Sequence, residues 1–330
     1  MENCKNILQV LFSYRRNIKD LPFVKVLTDN EQAIAITRSI SEIFGEDFEF
    51  KSLKNLSLTE CLKLQENLKI TKGLIENKDI SAYAKSFSDN NYIYINEQDH
   101  IRLEARSNCN LEECYNNLNK LDDILLDKLE VAFDIKYGYL TQNPFLCGTG
   151  LEMQAVLFLP AIINANKFEK LLQVVTKEFE LFDLNGKKFA GDIPVCIIKN
   201  KYTFGYKENE FAKKFQKILE NIIKLEESVE AEQFELSASS LVNKIFTSYG
   251  ILSNAYRLTL NGAINYLSDV VWGINMNILK GKIDILQVVS QISEAHITED
   301  DKKSLKEQEK TRAKLCWTIL KSIKKGEVDV

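Results

Sequence analysis

Within seven consecutive residues, Asn96-Glu97-Gln98-Asp99-His100-Ile101-Arg102, the chain gathers two carboxylates, an imidazole and a guanidinium. Carboxylates can hold a cationic group and accept its proton, and a guanidinium bonds phosphate oxygens through a planar fork that keeps its charge at any ordinary pH. Two glycine-bearing segments follow, Gly138-Tyr139-Leu140-Thr141-Gln142-Asn143-Pro144 and Gly148-Thr149-Gly150. Taken alone, each feature has a plain structural reading. Arg102 on an alternating strand is a solvated partner of Glu104, and His100 an ordinary polar strand residue. Glu97 and Asp99 alternate as solvated strand-end acids do, and do not by themselves make a cation cage. Gly148-Thr149-Gly150 is a turn without the Gly-Lys-Ser/Thr ending of a Walker loop. Cys147 beside it reads as a small buried apolar residue.

The elements that must position these residues show in the periodicity. From Asn91 to Arg106, Ile93 and Ile95 oppose Tyr92 and Tyr94, and then Ile101, Leu103 and Ala105 oppose Arg102, Glu104 and Arg106. This period of two predicts sheet interrupted at residues 96–100. Leu118, Leu121, Leu125, Leu129 and Ala132 recur at helical spacing, which predicts an amphipathic helix over Leu111 to Phe133. A strand at Ala155 to Leu159, a helix at Lys167 to Phe182, and short strands near Val195 to Ile198 and Tyr202 to Phe204 complete the expected mixed region. From Glu208 onward the pattern is helical almost throughout, with breaks near Gly250, Gly262 and Gly281. The expected fold is α+β, a largely antiparallel sheet flanked by helices, followed by an all-α C-terminal domain. The boundary falls at 225/226, with the charge-rich run from Glu226 to Glu235 as connector.

A chain of 330 residues with 45% apolar content and net charge −4 can bury a sizeable core in two domains. Its acidic balance, with lysines scattered among acids, argues against nucleic acid as a partner. The absence of a run of roughly 18 apolar residues argues against a membrane span. The start lacks the pattern of a signal peptide, and seven cysteines without a Cys-x-x-Cys pair point to reduced thiols and no zinc ribbon. The expected setting is cytoplasmic, with no metal site.

The two blocks at 96–102 and 138–150 resemble the signature blocks of the ATP:guanidino phosphotransferases, most closely those of the bacterial protein-arginine kinases. Ser248-Tyr249-Gly250-Ile251-Leu252 with Asn254-Ala255, and Leu267-Ser268-Asp269-Val270 with Gly273-Ile274, resemble the helical domain specific to those kinases. The resemblance runs from about residue 16 to 312. It implies transfer of the γ-phosphoryl of ATP to a guanidinium, with arginines neutralising phosphate and carboxylates activating the acceptor.

Many positions that the resemblance would fill with chemistry hold other residues. Anchoring on Asp20-Leu21-Pro22-Phe23, the first two phosphate-binding arginines of the family match Leu11 and Ser13, and only the trailing Arg16 agrees. Glu97, His100 and Arg102 are kept, while the second glutamate of that block, a base, is Gln98. The cysteine before proline is Asn143, and the arginine after Gly-Thr-Gly-Leu is Glu152. The last arginine and glutamate fall at Phe182 and Lys187 in an ungapped register, or at Asn185 and Asp192 in a shifted one. The phosphoarginine-reading segment of the helical domain matches Gln308 to Ala313, keeping Glu309 and Arg312, with Cys316 and Trp317 downstream.

The resulting expectation is a pseudokinase with a regulatory or binding role, retaining a nucleotide-site remnant of Arg16, His100, Arg102 and Glu152. It would need no cofactor, and would pair with itself or with a related active kinase, an adaptor or a protease-system component. The alternatives are an active protein-arginine kinase with a remodelled site, using ATP and Mg2+, or a nucleotide or phosphoarginine sensor without turnover.

Overall fold

Alternation over residues 12–15 and 101–106 marks the two strands at the centre of the molecule. The computed structural model describes residues 5–27, 30–184, 186–298 and 303–326. In chain order the elements are β1 (Ile7–Arg16), α1 (Asn30–Phe44), β2 (Phe48–Ser52), α2 (Leu58–Glu66), α3 (Lys72–Glu76), β3 (Ala82–Ser86), β4 (Asn91–Ile95), β5 (Ile101–Ser107) and α4 (Leu111–Leu126). A small hairpin, β6 (Phe133–Asp134) and β7 (Gly138–Tyr139), precedes β8 (Leu151–Phe158), α5 (Pro160–Asn164), α6 (Phe168–Val174), β9 (Phe179–Phe182) and β10 (Val195–Asn200). The helical part comprises α7 (Glu208–Asn254), α8 (Leu260–Asn275), β11 (Leu279–Lys280), α9 (Ile285–Ile292), α10 (Glu294–Ile297), α11 (Leu305–Leu320) and β12 (Lys324–Lys325).

Eight strands form one antiparallel sheet in the order β2-β3-β4-β5-β1-β8-β10-β9. The register sets Ser13 opposite both Glu104 and Glu152, and Arg15 opposite Arg102. Because side chains alternate, one face carries Phe12, Tyr14, Leu103, Ala105, Met153 and Ala155, all buried. Cys114, Leu118, Leu121 and Leu125 of α4 and Phe211 and Phe215 of α7 complete that core. The other face carries Leu11, Ser13 and Arg15 beside Arg102, Glu104, Arg106 and Glu152, and this is the polar face.

The α+β fold with a helical C-terminal part is as the sequence predicts, and several boundaries differ. The helix from Leu111 ends at Leu126. Residues 179–182 form strand β9, paired with β10, where helix was expected. Gly250 lies inside α7, which continues to Asn254; Ile245, Ser248 and Leu252 on this stretch are buried, and their burial outweighs the roughly 1 kcal/mol that a helical glycine costs. Gly281, with φ +152°, does mark a break. Five cysteines, 61, 114, 147, 196 and 316, are free. Cys109 is disulfide-bonded, against the expectation of reduced thiols.

The expected boundary at 225/226 falls inside α7, a helix of 47 residues whose non-helical residue is Ser237. Glu226 packs into the first part: its carboxylate accepts from the backbone amides of Ala161 (2.6 Å) and Ile162 (2.9 Å) at the start of α5. The helical part also reaches back across the sheet domain. Glu66, at the end of α2, accepts from the amides of Ala295 (2.8 Å) and His296 (3.1 Å) and pairs with the His296 ring at 2.7 Å. No helix among the described residues is long and apolar enough to cross a membrane.

Candidate active site

The signature run turns out of the sheet between β4 and β5. Asn96 takes a left-handed conformation, φ 56°, and its side-chain amide donates to the carbonyls of Ala33 (3.1 Å) and Ile80 (3.0 Å). Asparagine tolerates that backbone better than most residues. The turn returns Glu97 and Asp99 over the polar face and leaves Gln98 exposed. His100 is fully buried. Its Nδ1 accepts from the Ile18 amide (3.1 Å) and its Nε2 lies 2.9 Å from the Pro22 carbonyl, so the ring is neutral and pins the 18–22 turn. Burial lowers its pKa.

Arg16 points to the opposite side of β1. It forms a fork with Asp122 of α4 (Nε 3.0 Å, Nη2 2.6 Å) and donates from Nη1 to the carbonyls of Arg15 and Thr149, both 2.9 Å. Gly150 is required beside it: with φ +68°, a Cβ there would meet Arg16 Nη1 at 2.6 Å and the Arg15 carbonyl at 2.7 Å. Arg16 therefore ties β1 to α4 and to the 148–150 turn.

Arg15 occupies the place on the polar face that Arg16 does not. Its Nη1 lies 3.3 Å from Glu97 and 3.6 Å from Asp99, and its Nη2 3.4 Å from Glu152. Arg102 reaches Glu97 at 3.4 Å and pairs with Glu104. Arg106 bonds Glu104 and the Tyr94 hydroxyl, each at 2.7 Å, and lies 4.2 Å over the Tyr92 ring. Thr71, the cap of α3, bonds Glu97 from above. Three guanidinium groups thus face four carboxylates, Glu97, Asp99, Glu104 and Glu152, a formal excess of one negative charge.

All of these side chains are buried, where an isolated charge is very costly and only pairing keeps it ionised. Burial pushes the Glu97 carboxyl up, but Arg102, Arg15 and the Thr71 hydroxyl outweigh it and hold it low. Against the same burial, Arg106 and Arg102 lower Glu104, and Arg15, Arg102 and Lys199 bring Glu152 down to about 2. Burial disfavours the Arg15 cation, and Glu152 and Glu97 more than restore it.

A cavity of about 380 Å³ beside this network is lined by Asn143, Glu152, Phe182, Lys199 and Tyr202 among others. It brings together three positions singled out in sequence, in the ungapped register. Asn143 caps the short turn at 144–146 by accepting from the Phe145 amide (3.2 Å). Phe182 lies under the Lys199 ammonium, 4.6 Å from its ring centre. Lys187 and Asp192 are exposed and line no part of this cavity, and Asn185 lies outside the described residues. In the helical domain Arg312 is buried, donating to the carbonyls of Ile292 (2.8 Å) and Leu258 (3.0 Å), while Glu309 lies 3.9 Å from Arg257. Among the described residues no cluster of three or more His, Cys, Asp or Glu is arranged to hold a metal.

Sequence reasoning passed over Arg15, and with it the closed network. Alternation from Leu11 and Ser13 reaches it directly, since residues 11, 13 and 15 share a face.

The antiparallel sheet, the signature turn over its polar face and the appended helices define a guanidino-kinase architecture. Residues 32–229 match the family profile described as ATP:guanido phosphotransferase, C-terminal catalytic domain, and the chain belongs to that family. Residues 238–329 match the protein-arginine kinase McsB C-terminal domain. The chain is 32% identical to a protein-arginine kinase of Clostridium acetobutylicum over 272 residues, 80% of each chain, and 30% identical to that of Clostridium novyi over 320 residues, 93% of each. Among solved structures it resembles a lombricine kinase with TM-score 0.58 at 17% identity, covering 70% of this chain and 68% of that one. It also resembles the duplicated taurocyamine kinase of Schistosoma mansoni, TM-score 0.57 at 18% identity, covering 67% of this chain and about a third of that one (32%). These structural likenesses concern the fold.

Proposed function

We propose that this chain is a non-catalytic protein-arginine-kinase-like protein that acts by binding another protein. The observation that carries this is the closed network on the polar face: Arg15, Arg102 and Arg106 each lie against a carboxylate of the chain itself. A triphosphate would have to displace Glu97, Glu104 and Glu152 from buried partners and then sit among them, so the residues present do not fit ATP with its metal. Where a base is called for, the exposed amide of Gln98 cannot take a proton. Loss of one transition-state arginine costs on the order of 10³ to 10⁵ in rate and loss of a base about 10² to 10⁴. The partner would be a related active kinase, an adaptor or a protease-system component in the cytoplasm, engaged through the helical domain. Incubation with ATP and Mg2+, followed by mass spectrometry for phosphoarginine on the chain and on casein, is expected to give no more than a sample without the protein. Signal above that control overturns the proposal.

A second reading, an active kinase with a remodelled site, is favoured by Arg15 itself. It restores a cation to the face where Leu11 and Ser13 provide none, 3.3 Å from the retained Glu97. Phosphoarginine formation would establish it. The phosphoarginine-sensor reading has less support, because the Arg312 guanidinium already bonds two carbonyls.

A further inference from the structure

A second cavity, of about 610 Å³, shares no lining residue with the one beside Glu152. Its walls come from the start of β1, the end of β5, the turn after α2, and α8 and α9 of the helical domain. Four cations line it, Lys5, Lys69, Arg106 and Lys282, against two carboxylates, Glu66 and Asp284. Both carboxylates are already engaged. Glu66 holds the start of α10 and His296, and Asp284 caps α9 by accepting from the Gln287 amide at 3.0 Å. Lys5 pairs with Glu230 at 2.8 Å.

Of the other three cations, two are unpaired among the described residues and Arg106 is paired with Glu104. Lys69 and Lys282 are exposed and form no ion pair among the described residues. Arg106 is only 8% exposed. Its Nε and Nη2 are held by Glu104 and Tyr94, and Nη1 has no hydrogen bond among the described residues. A half-buried apolar strip of Leu8, Ile283 and Leu286 lines the rest of the wall. Two unpaired lysines and the unbonded Nη1 edge of Arg106 thus line one cavity beside apolar surface, a donor set that suits an anion with a carbon body. The space is larger than a bare phosphate fills and falls in the range of about 300–1,000 Å³ usual for small-molecule sites.

We infer that this cavity binds a small phosphomonoester, its phosphate facing Lys69, Lys282 and Arg106 and its apolar body lying on Leu8, Ile283 and Leu286. Three cations suit a dianion better than a single carboxylate, because each phosphate oxygen can take a charge-assisted hydrogen bond. Both domains supply the walls, so a bound ligand ties them together. The inference does not depend on whether the chain phosphorylates arginine.

Calorimetric titration of the full chain at constant ionic strength, with phenyl phosphate, inorganic phosphate and phenol as probes, tests it. Phenyl phosphate is expected to bind saturably and more tightly than inorganic phosphate, with no binding of phenol. The double variant Lys69→Glu/Lys282→Glu should bind at least about tenfold more weakly. Both lysines are exposed, so thermal melting of the variant should match the parent, and the phosphoarginine assay reads the other site separately. Absence of saturable binding by phenyl phosphate, undiminished binding in the double variant, or equal affinity for the two phosphates overturns the inference.

Discussion

Arg15 and Arg16 are neighbours in sequence and do opposite things, because successive side chains of a strand leave on opposite faces. Arg16 is structural, and Arg16→Ala should cost about 3–5 kcal/mol in urea unfolding by stranding Asp122 among the buried residues of α4. By contrast Gln98→Glu, at an exposed position, should change stability by no more than about 0.5 kcal/mol and restore no phosphotransfer, since Glu152 and the closed arginine network remain. Glu152 also predicts an acid response. Its carboxyl titrates near 2 when folded against an ordinary 4.5, so its stabilisation is complete above pH 4.5 and is lost as pH falls through 2. That contribution is on the order of 3 kcal/mol. Denaturant midpoints of Glu152→Gln against the parent, measured from pH 6 to about 2, should converge as pH falls; a constant gap would refute the assignment. Gln98 and Glu152 were legible as departures from a motif. Arg15 was not, because the family's arginine spacing falls on Leu11 and Ser13 and stops one same-face residue short of it.

Elements whose period was clean were placed well by sequence, as at β4, β5 and the start of α4, whose end falls seven residues earlier than expected. β9 was missed because Phe179, Leu181 and the residues before them also satisfy a helical spacing, and only the pairing with β10 decides between the two. The continuation of α7 through 226–235 was obscured for a related reason. Its acids suggested a solvated connector, yet Glu226 is buried and bonded to the first amides of α5. Burial raises that carboxyl to about 7, with the two amides opposing only in part. A folded pKa above the unfolded 4.5 means that the neutral form favours folding, so this contribution is fully present below pH 4.5 and is lost as pH rises through 7. Glu226→Gln, which stays neutral, should lack this loss of up to about 3 kcal/mol. Melting temperatures of the pair compared at pH 5 and pH 8 provide the check, and parallel curves would exclude the effect.

At the scale of the whole molecule, the division into a sheet domain and a helical domain was readable from the loss of proline and alternation after Glu208, but the point of division was not. Glu226 and Gln233 bond to α5 of the first part, and the backbone departs from helix only at Ser237, φ −154° and ψ 37°. A chain ending at residue 236 should therefore melt at a distinctly higher temperature than one ending at 225, as followed by circular dichroism; equal melting would show that the intervening turns contribute nothing. In the helical part Trp272 is fully buried, and Phe246, Tyr249, Ile251 and Tyr266 pack partly buried against the core. The long helix has a mechanical meaning as well. The seventeen residues beyond Ser237 form an arm of about 25 Å at 1.5 Å per residue, so a rotation of about 10° at that one residue carries its far end through roughly 4 Å. The direction of the last part of that helix is thus set at a single serine.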